Sequence, residues 1–176
     1  MYETKMLDYI LQHKVEVAPF GPSASSKFYL PHHAVKKEKR KVVKWRIVFD
    51  ASSHEPGSPS LNDSLEMGPN LLPEILSVLL FRLYKCAILG DVRQDSLQII
   101  LEPTGRDLTR ILWYRVLPNS QSWYHTTEEV IAYRFTRLSF GLTCSAFILS
   151  ATIRMLAKIS TTRTLLRAPL WTGAPI

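Results

Sequence analysis

The chain has 176 residues, of which 46% are hydrophobic and 21% charged, a size and composition that suit roughly one globular domain of ~100–200 residues and exclude a disordered chain. No stretch reaches the roughly 20 apolar residues of a membrane span, Glu3, Lys5 and Asp8 spoil any leader pattern, and Cys86 and Cys144 cannot build a disulfide framework. The expectation is an intracellular protein without a membrane partner, with no choice between a cytoplasmic particle and the nucleus. The net charge of +7 is segregated: Lys36, Lys37, Lys39, Arg40, Lys41, Lys44 and Arg46 crowd around the single acid Glu38, and no acid follows Glu129. Such a distribution attracts polyanions, or else marks a solvated basic hairpin.

In chain order, Met6, Leu7, Ile10 and Leu11 predict a helix over residues 2–13. Pro19, Gly21 and Pro22 break it. Residues 28–35 and 42–49, rich in β-branched and aromatic side chains, predict two strands joined by a basic loop at 36–41. Residues 52–70 read as an extended loop. Pro73 and the stripe Ile75, Leu76, Leu79, Leu80 and Leu83 predict a helix over 73–85. Residues 86–92 predict a short buried strand with Asp91 at its C-terminal end. Further strands are predicted at 97–101, 108–116 and 130–138, with a turn at 117–125. Gly141 opens a small-residue segment leading into a helix at about 144–159, and the pattern decays from Ser160 onward. The order defines an α+β fold: residues 1–26 a helix and linker, 27–159 the body, 160–176 an irregular tail.

A carboxylate beyond a strand end, such as Asp91, suits a Mg²⁺ ligand, and equally suits a turn cap. His32 and His33 point to opposite faces of a strand and have no Cys or acid at ligand spacing, which disfavours zinc. Ser145 and Cys144 lack a nucleophile elbow. Trp45, Trp113, Trp123 and Trp171 are candidates for base stacking, though the first two stand in apolar strands that read as core. Asn62 and Gln98 read as residues that hold backbone rather than touch a substrate.

Six segments in order carry a resemblance: Leu30-Pro31-His32-His33-Ala34-Val35; Lys44-Trp45-Arg46-Ile47-Val48-Phe49-Asp50-Ala51-Ser52; Ser60-Leu61-Asn62-Asp63-Ser64-Leu65; Gly90-Asp91-Val92; Arg106-Asp107-Leu108-Thr109-Arg110-Ile111-Leu112-Trp113; and Phe140-Gly141-Leu142-Thr143-Cys144-Ser145. Over roughly residues 27–156 the chain resembles the reverse transcriptases of BEL/Pao-type LTR retrotransposons. The resemblance implies the fingers and part of the palm of a right-hand polymerase. It also implies RNA-directed DNA polymerase ancestry, with an RNA or DNA template-primer and deoxynucleotide triphosphates as partners and Mg²⁺ as cofactor. Asp91 matches a metal-binding catalytic aspartate. Arg46, with Lys44 nearby, matches a clamp on the triphosphate, and guanidinium–phosphate pairing explains why arginine suits that place. Phe140 and Gly141 match the segment that packs on template and nucleotide. Lys36, Lys37, Lys39, Arg40 and Lys41 form the fingertip that tracks a nucleic-acid backbone.

The departures set a second expectation. Two-metal phosphoryl transfer needs several carboxylates, and the chain contains no Asp-Asp pair. Asp95 and Ser96 stand where the family has a small residue and an aromatic, and Ser139 and Ala146 where it tends to have prolines. The chain is therefore expected not to polymerise. A non-catalytic nucleic-acid-binding remnant or domesticated protein is the alternative. The loss of pattern after Ser160 is expected to reflect truncation or a frameshift.

Overall fold

The structure, a computed structural model, describes residues 2–19, 28–39, 42–83, 85–86, 90–118 and 124–167, and it is mixed α and β with two small antiparallel sheets. Helix α1 (Tyr2–Leu11) leads into strand β1 (Val15–Val17); β2 (His32–Lys39) and β3 (Val42–Phe49) form a hairpin; α2 (Ile75–Leu80) follows a long loop; β4 (Arg110–Pro118), β5 (Tyr124–Phe135) and α3 (Ser145–Arg167) complete the order. One sheet has the order β1-β5-β4, and the other is the β2–β3 hairpin alone. Among the described residues no helix is long and apolar enough to cross a membrane.

Alternation along β5 builds the core. Ile131, Tyr133 and Phe135 are buried while their neighbours face outward, the two-residue period of a half-covered strand. Phe135 meets Phe49 of the hairpin edge to face, with centroids 4.9 Å apart, and Tyr9 of α1 packs against both rings. Met6, Leu30 and Ile111 fill the space around them. The hairpin is thus tied to the larger sheet through Phe49, and through the Leu30 N–H that donates to the Arg110 carbonyl at 2.8 Å.

The outer face of the β1-β5-β4 sheet is ionic. Cross-strand register places Glu16, Arg134 and Arg110 in one row. Two arginines side by side repel, and acids separate them: Arg134 pairs with Glu16 at 2.7 Å and with Asp107 at 3.2 Å, while Arg110 pairs with Asp107 at 2.8 Å. Arg106 closes the row on Glu16 at 3.1 Å. Between Tyr114 and Val116 the β4–β5 register slips. There the Val116 N–H donates to the Tyr133 hydroxyl at 3.2 Å, and that hydroxyl donates to the Tyr114 carbonyl at 3.4 Å.

Several elements differ from the sequence expectation. The second strand begins at His32, because Pro31 has no N–H for a ladder, and it runs to Lys39. Lys36, Lys37 and Lys39 therefore stand on a strand, not in a loop. Helix α2 is only six residues long, followed by a 3₁₀ turn at Phe81–Leu83. Its stripe stays in solvent, with Ile75 and Leu83 each 80% exposed, and without tertiary packing a longer helix has little support. Cys86, Gly90, Asp91 and Val92 belong to no strand, and residues 87–89 lie outside the described residues. In place of a strand at 97–101 there is a 3₁₀ turn, Asp95–Gln98, with one isolated bridge from Ile100 to Arg137. The Ser96 N–H donates to Asp95 Oδ1 at 2.7 Å, a local bond that competes with strand pairing. The last helix continues to Arg167, eight residues beyond the expected end, and residues 168–176 lie outside the described residues.

Candidate functional site

Asn62 organises the best-defined polar junction. Ser60 and Asp63 bond each other reciprocally: the Ser60 N–H and hydroxyl donate to Asp63 Oδ2 at 2.9 and 2.7 Å, and the Asp63 N–H donates back to Ser60 Oγ at 3.2 Å. These bonds to Ser60 hold the Asp63 carboxyl below its ordinary pKa. They fix the 3₁₀ turn Asn62–Ser64. From that turn Asn62 Nδ2 donates to the Gly141 carbonyl at 3.0 Å and to Ser52 Oγ at 2.8 Å, while its Oδ1 accepts the Thr143 N–H at 2.9 Å. The long loop after β3 is thereby fastened to the turn that precedes α3.

That turn requires its glycine. Gly141 has φ +92°, and a Cβ there would drive into the carbonyl oxygen of Phe49. Beneath it, Ser139 is fully buried and its carbonyl accepts the Ser145 hydroxyl at 2.8 Å. Phe140, the residue between, projects 43% exposed.

Phe140 faces a cleft of about 530 Å³ that also takes Trp45 and Arg46 from β3, Val92 and Asp95 from the segment after Asp91, and Lys5 and Tyr9 from α1. Arg46 is exposed and stands opposite Val35 in the hairpin. The cleft joins an aromatic wall, two cations and one carboxylate, a set suited to an anionic ligand with an apolar body. The contributions of Lys5 and Tyr9 carry no signal in the sequence, since α1 meets β3 only through the tertiary fold.

Asp91 is exposed and is not part of the cleft wall. Asp95 is the carboxylate that lines it, and one of its oxygens is engaged by the Ser96 N–H. Among the described residues no group of three or more His, Cys, Asp or Glu side chains is placed to hold a metal ion. The donor set present among these residues does not fit a two-metal site.

The basic hairpin is described in part. Lys36 and Lys37 are exposed, and Lys36 Nζ lies 3.6 Å from Glu38. Lys37 stands opposite Lys44 and Lys39 opposite Val42 by backbone register. Arg40 and Lys41 lie outside the described residues. His32 and His33 take different surroundings: His32 Nε2 is 3.1 Å from the Leu112 carbonyl and Nδ1 bonds the Tyr2 hydroxyl, whereas His33 is exposed. Gln98 Nε2 donates to the Arg93 carbonyl at 3.1 Å.

Neither a protein-family model nor a curated protein matches the chain.

Proposed function

We propose that the chain is the fingers and partial palm of a reverse transcriptase of the BEL/Pao retroelement type, with a cleft that receives a deoxynucleotide triphosphate but without the carboxylates that would transfer it. One observation carries the reading. Arg46, Phe140, Val92 and Asp95, which fall in or beside separate segments of the resemblance, line a single cleft of about 530 Å³, within the ~300–1,000 Å³ range of small-molecule sites. In this reading the Arg46 fork grips phosphate oxygens and Trp45 and Phe140 bound the nucleoside.

Calorimetric titration of the full chain with deoxynucleotide triphosphates tests the cleft. Charge-assisted hydrogen bonds are worth about 1.5–3 kcal/mol, so Arg46→Ala should weaken binding roughly tenfold to a hundredfold. Unchanged affinity overturns the assignment. Primer extension on a primed RNA template with Mg²⁺ tests the chemistry: no incorporation is expected, and incorporation abolished by Asp91→Ala overturns the inactive reading. The exposed basic hairpin favours a second reading, a non-catalytic binder of nucleic-acid backbones.

A further inference from the structure

Lys14, in the turn between α1 and β1, is 7% exposed, yet among the described residues no carboxylate pairs with it. Its Nζ donates to Gln94 Oε1 and lies 5.6 Å from the centroid of the Tyr9 ring. Burial first, then the nearby Arg93 and Arg137, lower its pKa, and Asp8 opposes them from beyond ion-pair distance. A buried ammonium normally takes a counter-charge, because its desolvation is costly. Here Arg93 and Arg137 share its sign, and the acid that acts on it, Asp8, pairs with Lys5 instead.

A cavity of about 360 Å³ opens at this point, and Lys14, Arg93 and Arg137 line it together with Gln12, Gln94 and Gln98. None of the lining residues is acidic. At ~30 Å³ per water the space holds about a dozen waters, more than a single tetrahedral ion fills. His13 and Gln94, the two non-glycine residues with positive φ among those described, stand beside and within it at φ 51° and 53°. Left-handed backbone at such residues is unfavourable and tends to be kept at ligand clamps.

We propose that this cavity is a binding site for a small oligophosphate anion, held by Lys14, Arg93 and Arg137 with the Gln12 and Gln94 amide N–H groups donating to the remaining oxygens. Two guanidinium forks suit the oxygens of adjacent phosphoryl groups, and amide N–H groups are donors. The neighbouring cleft shares Gln94, but the proposal rests on the cation cluster and not on nucleotide binding there.

Calorimetric titration of the full chain with inorganic pyrophosphate at constant ionic strength and without added metal tests it, with sulfate as the comparison ion. One pyrophosphate per chain is expected, bound at least ~10-fold more tightly than sulfate, the ratio that 1.4 kcal/mol represents. Arg93→Gln and Arg137→Gln should each weaken it by about tenfold or more. Arg82→Gln, which removes the same charge from an exposed position away from the cavity, should leave it unchanged. Lys14→Gln should abolish it; if that variant does not fold, the two arginine variants decide. Pyrophosphate held no better than sulfate, or weakened equally by Arg82→Gln, overturns the site. Pyrophosphate binding without deoxynucleotide binding upholds this site and removes the reading of the cleft.

Discussion

Exchanging Gly141 for alanine strikes the turn that presents Phe140. The backbone at φ +92° costs a residue with a Cβ about 1–2 kcal/mol. The added methyl meets the carbonyl oxygen of Phe49, a backbone atom that cannot swing aside as a side chain does. Overpacking of this kind costs about 1–3 kcal/mol. Relief by moving the turn stretches the two bonds that Asn62 makes to Gly141 and Thr143, worth about 1 kcal/mol each. Kept or relieved, the clash adds about 2 kcal/mol to at least about 1 kcal/mol of backbone strain, about 3 kcal/mol in all. With a urea m-value of about 2 kcal/mol/M for a small protein, the unfolding midpoint should fall by about 1.5 M, read by circular dichroism. Gly105→Ala is the control, because a Cβ there meets nothing within 4 Å. It should shift the midpoint by less than about 0.25 M, as benign surface changes of about 0.5 kcal/mol do. A Gly141→Ala midpoint within that same band would refute the packing described at Phe49.

Asp107 supplies a pH prediction. Burial pushes its carboxyl up, but hydrogen bonds and charge from Arg110 and Arg134 outweigh this and leave it below its ordinary value of 3.8. A depressed folded pKa gives stability that is present above the unfolded value and lost as pH falls through the folded one. The Tm gap between the parent protein and Asp107→Asn should be constant above about pH 5 and close below pH 3.8; a gap that widens in acid contradicts the pairing. Tyr133→Phe leaves the Val116 N–H without its partner. It should cost about 1 kcal/mol, a Tm loss of about 2–4 °C at this chain length, with faster hydrogen exchange at Val116 as the local signature. Replacing Lys36, Lys37, Lys39, Arg40 and Lys41 with glutamine should reduce the slope of log affinity against log salt for a DNA duplex by up to about 4.5, at ~0.9 per phosphate contact. An unaltered slope removes the hairpin as the polyanion contact.

Elements whose residues carry their own reasons were legible in the sequence. The β-branched run at 42–49 has a paired strand to lie against, and α1 buries the Met6 that its spacing turns inward. Asn62 read as a backbone holder, and it holds backbone. The run at 86–92 shows the opposite. An apolar string is compatible with a strand, but a strand is a pairing, and Cys86 and Gly90–Val92 have no ladder among the described residues. The stripe of α2 likewise announces a buried face that the fold leaves wet. Lys14 was invisible for a different reason. Its meaning depends on Gln94, 80 residues away, and on two arginines that no spacing rule connects to it.

The pairing of β1 with β5 has a consequence for synthesis. Val15 meets Phe135, about 120 residues later in the chain. At ~5–20 residues per second on the ribosome, β1 waits roughly 6–24 s before its partner has been made. Through most of that interval α1 can meet Phe49, made about 40 residues after Tyr9, but it has no Phe135 against which to close Tyr9. The N-terminal segment is therefore a late joiner, and a nascent chain arrested before Tyr133 should leave it open to protease however much of the hairpin has already formed.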